Sequence, residues 1–443
     1  MPSFLALLCM VATVAADSEA RIVNGDFAVS GKGDVPGSWI VWKPRWEQAG
    51  CVIRKRDGGL LVESGKEPFS VGGVTQIVKD IRGGQAYRFQ AEAELKKIPW
   101  PLRSLILRVN WMRAGQVMTP HGWLVQGPAM KGETAIFDDV LAAPADADSV
   151  SVQLEVKWPQ GGSVLWKRVQ MTPCETPAPR KARLGAVYLK PQNSTPEKNL
   201  ELWCEQIDVA GRLKLDALCL GEAILSVGTT KDAKDLAEKI PGPTTMRLAT
   251  AAKRNHLWLV AGLTEREGGR IYNTAILLDR EGNLAGKYRK VHLPREEWSL
   301  GITPGFEYPV FQTDFGPVAI QICYDYFYPE TAATFARNGA RILFAPTWGT
   351  TFPDQEGRVE GETVFRVRAR DNGIFMVASV YDGSSLVIDP LGRVLASQKG
   401  QGTIAWAEVN VDLREPLFWV GHWRDIGPRD RMSDAREETE NGH

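Results

Sequence analysis

The chain has 443 residues, of which 44% are hydrophobic and 24% charged, the balance of a folded globular protein rather than of a collagen-like, low-complexity or disordered chain. At roughly 150 residues per domain, that length suggests two or three domains. Lys and Arg total 53 and Asp and Glu total 53, so the formal charge is zero, whereas a surface built to hold nucleic acid by its phosphates carries a basic excess. No apolar run of about 20 residues follows the N-terminus, which excludes a polytopic helical membrane protein.

The chain opens with an apolar stretch from Phe4 to Val14, followed by Ala15, Ala16 and Asp17. This pattern predicts a secretory signal peptide over residues 1–16 and a secreted or periplasmic location, although Met1-Pro2-Ser3 lacks the usual basic residue. Residues 21–173 then show short alternating or apolar runs, among them GSWIVW, QAYRFQAEAEL, SLILRVNWM, SVSVQLEVKW and SVLWKRVQM, separated by Gly, Pro and Asp. Short strands at this spacing predict an all-β sandwich. Eight of the fifteen Trp fall here, at positions 39, 42, 46, 100, 111, 123, 158 and 166. Residues 174–183, within TPCETPAPRKAR, read as a linker.

From Leu184 to residue 423 the rhythm changes to alternating strands and helices, the pattern of an α/β layered domain. GAVYLKPQ reads as a strand. Pro196–Leu213 reads as a helix with Leu200, Trp203, Ile207 and Ala210 on one face. DALCLGEAIL reads as a continuous buried strand ending at a carboxylate, and VAIQIC as a strand running into YDYFYPE. Helices are expected over Met246–Arg254, Thr331–Asn338 and Glu362–Asn372, and a polar tail over residues 424–443. Cys204 and Cys219 read as small buried hydrophobes, while Cys51 and Cys174 could form a bridge in an oxidising compartment. With no CxxC pair and five His, no Cys/His metal site is expected, and no cofactor.

Three polar residues stand at expected strand ends: Glu222 closes DALCLGE, Lys290 sits in GKYRKVHLP and Cys323 closes VAIQIC. Strand ends converge on the crevices where α/β folds hold their sites. Together a thiol, a carboxylate and an amine can perform acyl transfer, since the thiol is a strong nucleophile once deprotonated, the carboxylate can take its proton and the ammonium can hold an oxyanion. Each residue alone is more often inert packing or a solvated charge.

The strings around them, taken in order, resemble the carbon–nitrogen hydrolase (nitrilase) superfamily. DALCLGEA is similar to the family's strand ending in its catalytic Glu, GKYRKVHLP to the segment holding its Lys, and GPVAIQICYDYFYPE to its nucleophile elbow. TPG at 303–305, FAPTW and RARDNGIFMVAS are similar to further family strings. The resemblance covers about half the chain. It implies an αββα sandwich, Cys323 as nucleophile, Glu222 as general base and acid, and an oxyanion held by Lys290 and the Tyr324 backbone N–H. It further implies a second active-site carboxylate, for which Glu296 and Glu297 compete and Glu297 is favoured by its nearness to Trp298 and the TPG turn. Tyr324 and Trp348 would line the substrate pocket. The implied partner is a small-molecule linear amide or N-carbamoyl compound, bound by a homo-oligomer.

The residues after Cys323 resemble amidase and carbamoylase branches more than true nitrilases. An acyltransferase using the same thioester is the variant reading. A non-catalytic surface protein that binds a glycan or another protein, with the hydrolase fold as scaffold, is the alternative. The N-terminal region has a looser resemblance to jelly rolls of the carbohydrate-binding-module type, whose Trp faces could stack on a glycan. The competing reading is that most of these Trp are core.

Overall fold

In the computed structural model the described residues are 21–349 without 57, 360–414, 416–417, 421–424 and 427. The expected signal peptide and all but residues 424 and 427 of the expected tail lie outside them. The described residues form two compact units, dividing after Pro177.

The first unit holds two six-stranded sheets in which every pairing is antiparallel. One runs in the order Ile40–Trp42, Val71–Lys79, Ser149–Lys157, Leu105–Arg113 and Gln116–Val117, with Trp123–Leu124 also paired to Leu105–Arg113. The other runs Val52–Arg56, Gly59–Glu63, Ser163–Cys174, Ala86–Lys96, Thr134–Ala142 and Ala129–Lys131. Alternate residues of each sheet enter one shared core, with Leu60, Val62, Phe89 and Trp166 from one and Val74, Leu107, Trp111 and Val152 from the other. Of the eight Trp, Trp39, Trp111 and Trp166 are buried. Trp100 and Trp158 flank the Arg103 guanidinium at 5.7 and 4.6 Å, and Trp46 is the most exposed at 67%.

Cys51 and Cys174 are free thiols, so the bridge between them is not formed. Cys51 adjoins the sheet end where Glu63 pairs with Ser163, and Cys174 closes the opposite end of the twelve-residue strand that begins at Ser163. At the rise of a β-strand that separation is roughly 35 Å, far beyond disulfide reach.

The second unit has two sheets facing each other. The first has the order Leu284–Arg289, Arg270–Leu278, Trp258–Glu267, Ala217–Cys219, Lys181–Tyr188, Thr403–Asn410. The second has the order Phe311–Thr313, Gly316–Ile320, Ile342–Gly349, Phe375–Asp382, Ser385–Ile388, Val394–Gln398. Three central strands of each are parallel. Leu184, Cys219 and Val260 meet Val318, Phe344 and Val377 in the core between them. Helices cover the outer faces, giving four layers. The helix Pro196–Arg212 begins where Thr195 Oγ1 accepts from Lys198 N, with Pro196 in its first turn, and it buries Trp203, Ile207 and Ala210. Pro243–Asn255 starts three residues before the expected helix, because Pro243 opens the first turn and the Glu238 carboxylate accepts from Thr244 N.

Several boundaries differ from the sequence reading. The strand Ser163–Cys174 takes the first residue of the expected linker. The second unit begins at Ala178 rather than Leu184, since Lys181–Arg183 already pair with Glu408–Asn410. Pro416 and Leu417, expected within the hydrolase domain, group with the first unit. Arg424 is not part of a loose tail, because its guanidinium donates to the carbonyls of Val411 and Leu413. The apolar run through DALCLGE is a strand only over Ala217–Cys219, and VAIQIC leaves the sheet after Ile320. In both cases the chain departs from the sheet three residues before the residue expected to carry chemistry, Glu222 or Cys323.

Trp203 links the first helical layer to the segment after Glu222, donating from Nε1 to Ile224 O at 3.1 Å. Trp203→Ala should cost about 3–5 kcal/mol in urea unfolding. Trp203→Phe, which removes the indole N–H from a buried carbonyl, should cost about 1–3 kcal/mol.

Candidate active site

Glu222 follows its strand by three residues. Gly221 permits this exit, because a Cβ there would lie 2.2 Å from the Tyr381 hydroxyl. That hydroxyl donates to Glu222 O at 2.6 Å, and Ala223 takes a left-handed φ of 45° to turn the chain away. The Glu222 side chain is therefore fixed at the end of the central parallel strands and is buried at 3% exposure.

Lys290 lies one residue past the strand Leu284–Arg289. Its N–H donates to Asn273 O at 2.9 Å, and its carbonyl accepts from Gly305 N at 2.8 Å, so the TPG turn packs against it. Its buried ammonium donates to Glu222 Oε1 at 2.9 Å and to Glu297 Oε1 at 2.8 Å. Asn273 Nδ2 donates to the same two oxygens, at 2.8 Å each. The second oxygen of Glu222 accepts from Trp348 N at 2.8 Å. Among the described residues nothing donates to Glu297 Oε2, which is buried. Glu296 lies on the exposed side of the same short helix, Arg295–Ser299, so Glu297 is the carboxylate that joins the cluster.

Cys323 opens a 3₁₀ turn, Cys323–Phe327, with φ at 40°, a left-handed conformation that costs a non-glycine residue on the order of 1–2 kcal/mol. Burial, then the neighbouring Glu222 charge, push its thiol up to about 12, against the opposing pull of Lys290 and the N–H groups of Trp348 and Gly349. Burial alone would lower the Lys290 ammonium. The charges of Glu222, Cys323 and Glu297 outweigh it and hold the group above the usual lysine range. Burial also raises Glu297, with Lys290 opposing. The arrangement thus sets a protonated thiol beside an ammonium clasped by two carboxylates. Such a group of atoms can move a proton off sulfur and place positive charge where an oxyanion forms.

All four residues expected to carry chemistry meet here. Trp348 meets them through its backbone N–H, and its indole packs edge-on against Tyr381 at 5.4 Å. Tyr324 is half-buried against the rings of Phe327 and Tyr328. Asn273, Tyr381 and Asp325 were not anticipated. Asn273 was visible as the one amide in the strand IYNTAILLD, and Asp325 as the acid in YDYF. Among the described residues no group of three or more His, Cys, Asp and Glu is placed to hold a metal ion.

A family model described as carbon–nitrogen hydrolase matches residues 183–416. The chain belongs to the carbon–nitrogen hydrolase family. It is an enzyme of that class, acting on carbon–nitrogen bonds other than peptide bonds. Among curated relatives, the omega-amidase NIT2 of Xenopus tropicalis is 30% identical over 234 residues, covering 48% of this chain and 84% of the relative. Human omega-amidase NIT2 is 29% identical over 248 residues, covering 52% and 88%. Among solved structures, Saccharomyces cerevisiae Nit3, a member of branch 10 of the nitrilase superfamily, is 26% identical with a TM-score of 0.47 and covers 52% of this chain and 90% of that one. An amidase from Nesterenkonia sp. is 21% identical with a TM-score of 0.48, covering 60% and 97%.

In this carbon–nitrogen hydrolase a second ion cluster supports the strand Leu284–Arg289 that leads into Lys290. Buried Glu265 accepts from Thr274 Oγ1 at 2.8 Å and from Arg289 at 2.8 and 2.9 Å, and it also pairs with Lys287. Burial would raise its carboxyl, but these donors, Arg289 foremost, pull it down to about 2. Because the folded value lies below the unfolded one, its stabilisation is complete above about pH 4.5 and fades as pH falls towards 2. Glu265→Gln should therefore cost on the order of 2–3 kcal/mol in urea unfolding at pH 7, with the gap to wild type closing as pH falls from 4.5 towards 2.

Proposed function

We propose that the protein is an amidase that hydrolyses a linear amide or N-carbamoyl group through a thioester on Cys323, with Glu222 and Lys290 completing the catalytic set. The observation that carries this reading is the Lys290 ammonium held between Glu222 and Glu297 beside the Cys323 thiol. The names of the omega-amidase relatives support the amide class.

At rest the sulfur keeps its proton, so attack and deprotonation go together. Glu222 takes the thiol proton as sulfur bonds to the carbonyl carbon. The carbonyl π electrons move onto oxygen, where the Lys290 ammonium and the Tyr324 N–H hold the developing charge. Collapse of this intermediate breaks the C–N bond. Glu222 returns the proton to nitrogen, and ammonia or an amine departs. Water then loses a proton to Glu222 and attacks the thioester. The C–S bond breaks, the thiolate regains its proton, and a carboxylic acid leaves. The buried Glu297 Oε2 is the acceptor available to an amide N–H of the substrate. Tyr324 and the half-exposed Trp348 ring would flank the acyl part. The apolar run Phe4–Val14 supports an exported protein.

Ammonia release from a panel of short amides and N-carbamoyl compounds tests the reading. Cys323→Ala should be inactive with unchanged circular dichroism. Lys290→Met should lose about 100–1,000-fold in turnover, the usual effect of removing an oxyanion donor. Wild-type release by the alanine variant would refute the thioester route, and a folded methionine variant keeping more than about a tenth of the rate would refute the role of Lys290.

A further inference from the structure

Asp325 is fully buried, two residues beyond Cys323, and it belongs to neither the thiol nor the carboxylate–ammonium cluster. Its carboxylate nevertheless ties the two together. Oδ2 accepts from Ile322 N, the residue before the thiol, at 2.9 Å, and from Tyr288 OH, two residues before Lys290, at 2.8 Å. Oδ1 accepts from His292 N, two residues after Lys290, at 2.9 Å, and lies 3.0 Å from His292 Nδ1. Asp325 N closes the turn onto Ile322 O at 3.0 Å. Four contacts on one side chain thus span the segment bearing the thiol and the segment bearing the ammonium. Their partners are themselves fixed: Tyr288 is buried edge-on against Phe335 at 5.5 Å, and the His292 ring stacks on Tyr328 at 3.9 Å.

The tie acts where the backbone needs it. Cys323 is held at a φ of 40°, and the 3₁₀ turn it opens is too short to hold that conformation alone. The far side of the turn is pinned by Arg368, which donates to the carbonyls of Tyr326 and Phe327 at 3.2 and 3.1 Å. The near side, next to the thiol, depends on Asp325.

We propose that Asp325 is a positioning residue that fixes the distance between the Cys323 thiol and the Lys290 ammonium by strapping the nucleophile turn to the segment on both sides of Lys290. This rests on the thioester reading above, since the distance matters only if sulfur attacks a carbonyl whose oxygen lies at Lys290. A carboxylate suits the task because it only accepts, and the Ile322 N–H, the Tyr288 hydroxyl and the His292 N–H all donate to it. An amide turns one of those contacts into donor against donor.

The test compares Asp325→Asn and Tyr288→Phe with the intact full-length enzyme. Three quantities are read: kcat, KM, and the pH profile of Cys323 alkylation by iodoacetamide. Displacing a reacting group by about 1 Å costs on the order of 100-fold. Asp325→Asn should therefore lose about 100-fold in kcat with less than about a threefold change in KM, and its alkylation profile should move by at least about half a pH unit because the thiol has left its fixed place beside Lys290 and Glu222. Tyr288→Phe, which removes one contact of the four, should lose about 3–10-fold in kcat with a profile shifted the same way. A folded Asp325→Asn enzyme with an unshifted profile would overturn the proposal, whatever its kcat. If that variant does not fold, Tyr288→Phe decides, and wild-type kcat with an unshifted profile overturns it. Cys323→Ala run alongside separates the two readings, because activity in that variant refutes the thioester route itself, whereas an inactive Cys323→Ala with a wild-type Asp325→Asn refutes only the strap.

Discussion

A buried ammonium has to be surrounded by acceptors, and this requirement organises the catalytic unit. Lys290 has left water almost completely, and its desolvation is offset by hydrogen bonds to Glu222 and Glu297. Two carboxylates and one ammonium would still carry a surplus negative charge if all were ionised. Burial raises both the Glu297 carboxyl and the Cys323 thiol, which opposes further negative charge beside the Glu222–Lys290 pair. Asn273 adds a neutral donor to both carboxylates without adding charge. Removing Lys290 would leave the two carboxylates without their shared cation in the interior, which is more costly than never having built the cluster.

The rest of the unit holds these charges in place. Parallel strands bring the ends of Ala217–Cys219 and Gly316–Ile320 towards one region, and at each the chain leaves the sheet through a left-handed residue, Ala223 on one side and Cys323 on the other. Such backbone conformations persist only where the surroundings over-determine them. Tyr381 and the packing of Gly221 do so for the first turn, and Asp325 and Arg368 for the second. Behind Lys290, the Glu265 cluster joins three neighbouring strands through Thr274, Lys287 and Arg289. The segments carrying the four groups are therefore each held by several tertiary hydrogen bonds, the kind of positioning that the proposed mechanism requires.

Glu222 and Cys323 stood out because each closes an apolar run, where a charged or reactive residue conflicts with simple burial, but Lys290 sits in the charged string GKYRK, and the three became legible together only through the family resemblance of their strings in order. The change from two-residue alternation to longer mixed periods near residue 180 marked the passage from the all-β unit to the layered one. What remained hidden has common physical causes. Periodicity reports that a segment is buried, not where it leaves its sheet, so DALCLGE read as one strand although Gly221 and Ala223 turn it away. Asn273 and Asp325 act through partners 24 to 51 and up to 37 residues away, and no local pattern reveals a hydrogen bond closed by tertiary packing. Glu296 and Glu297 are equal as letters, and only the rotation of their short helix separates them. The eight Trp of the first unit were equally ambiguous, since the same residue type serves a core at Trp166 and an exposed surface at Trp46.

The central claim, that carbon–nitrogen bond cleavage passes through sulfur, is tested most directly by acid-quenching the enzyme during turnover of a short amide and measuring the mass of the peptide that contains Cys323. The account predicts a transient increase equal to the acyl group, located on Cys323 and released by hydroxylamine, as a thioester should be. Steady ammonia release with that peptide unmodified at every time point, or an acyl group carried by another residue, would contradict it.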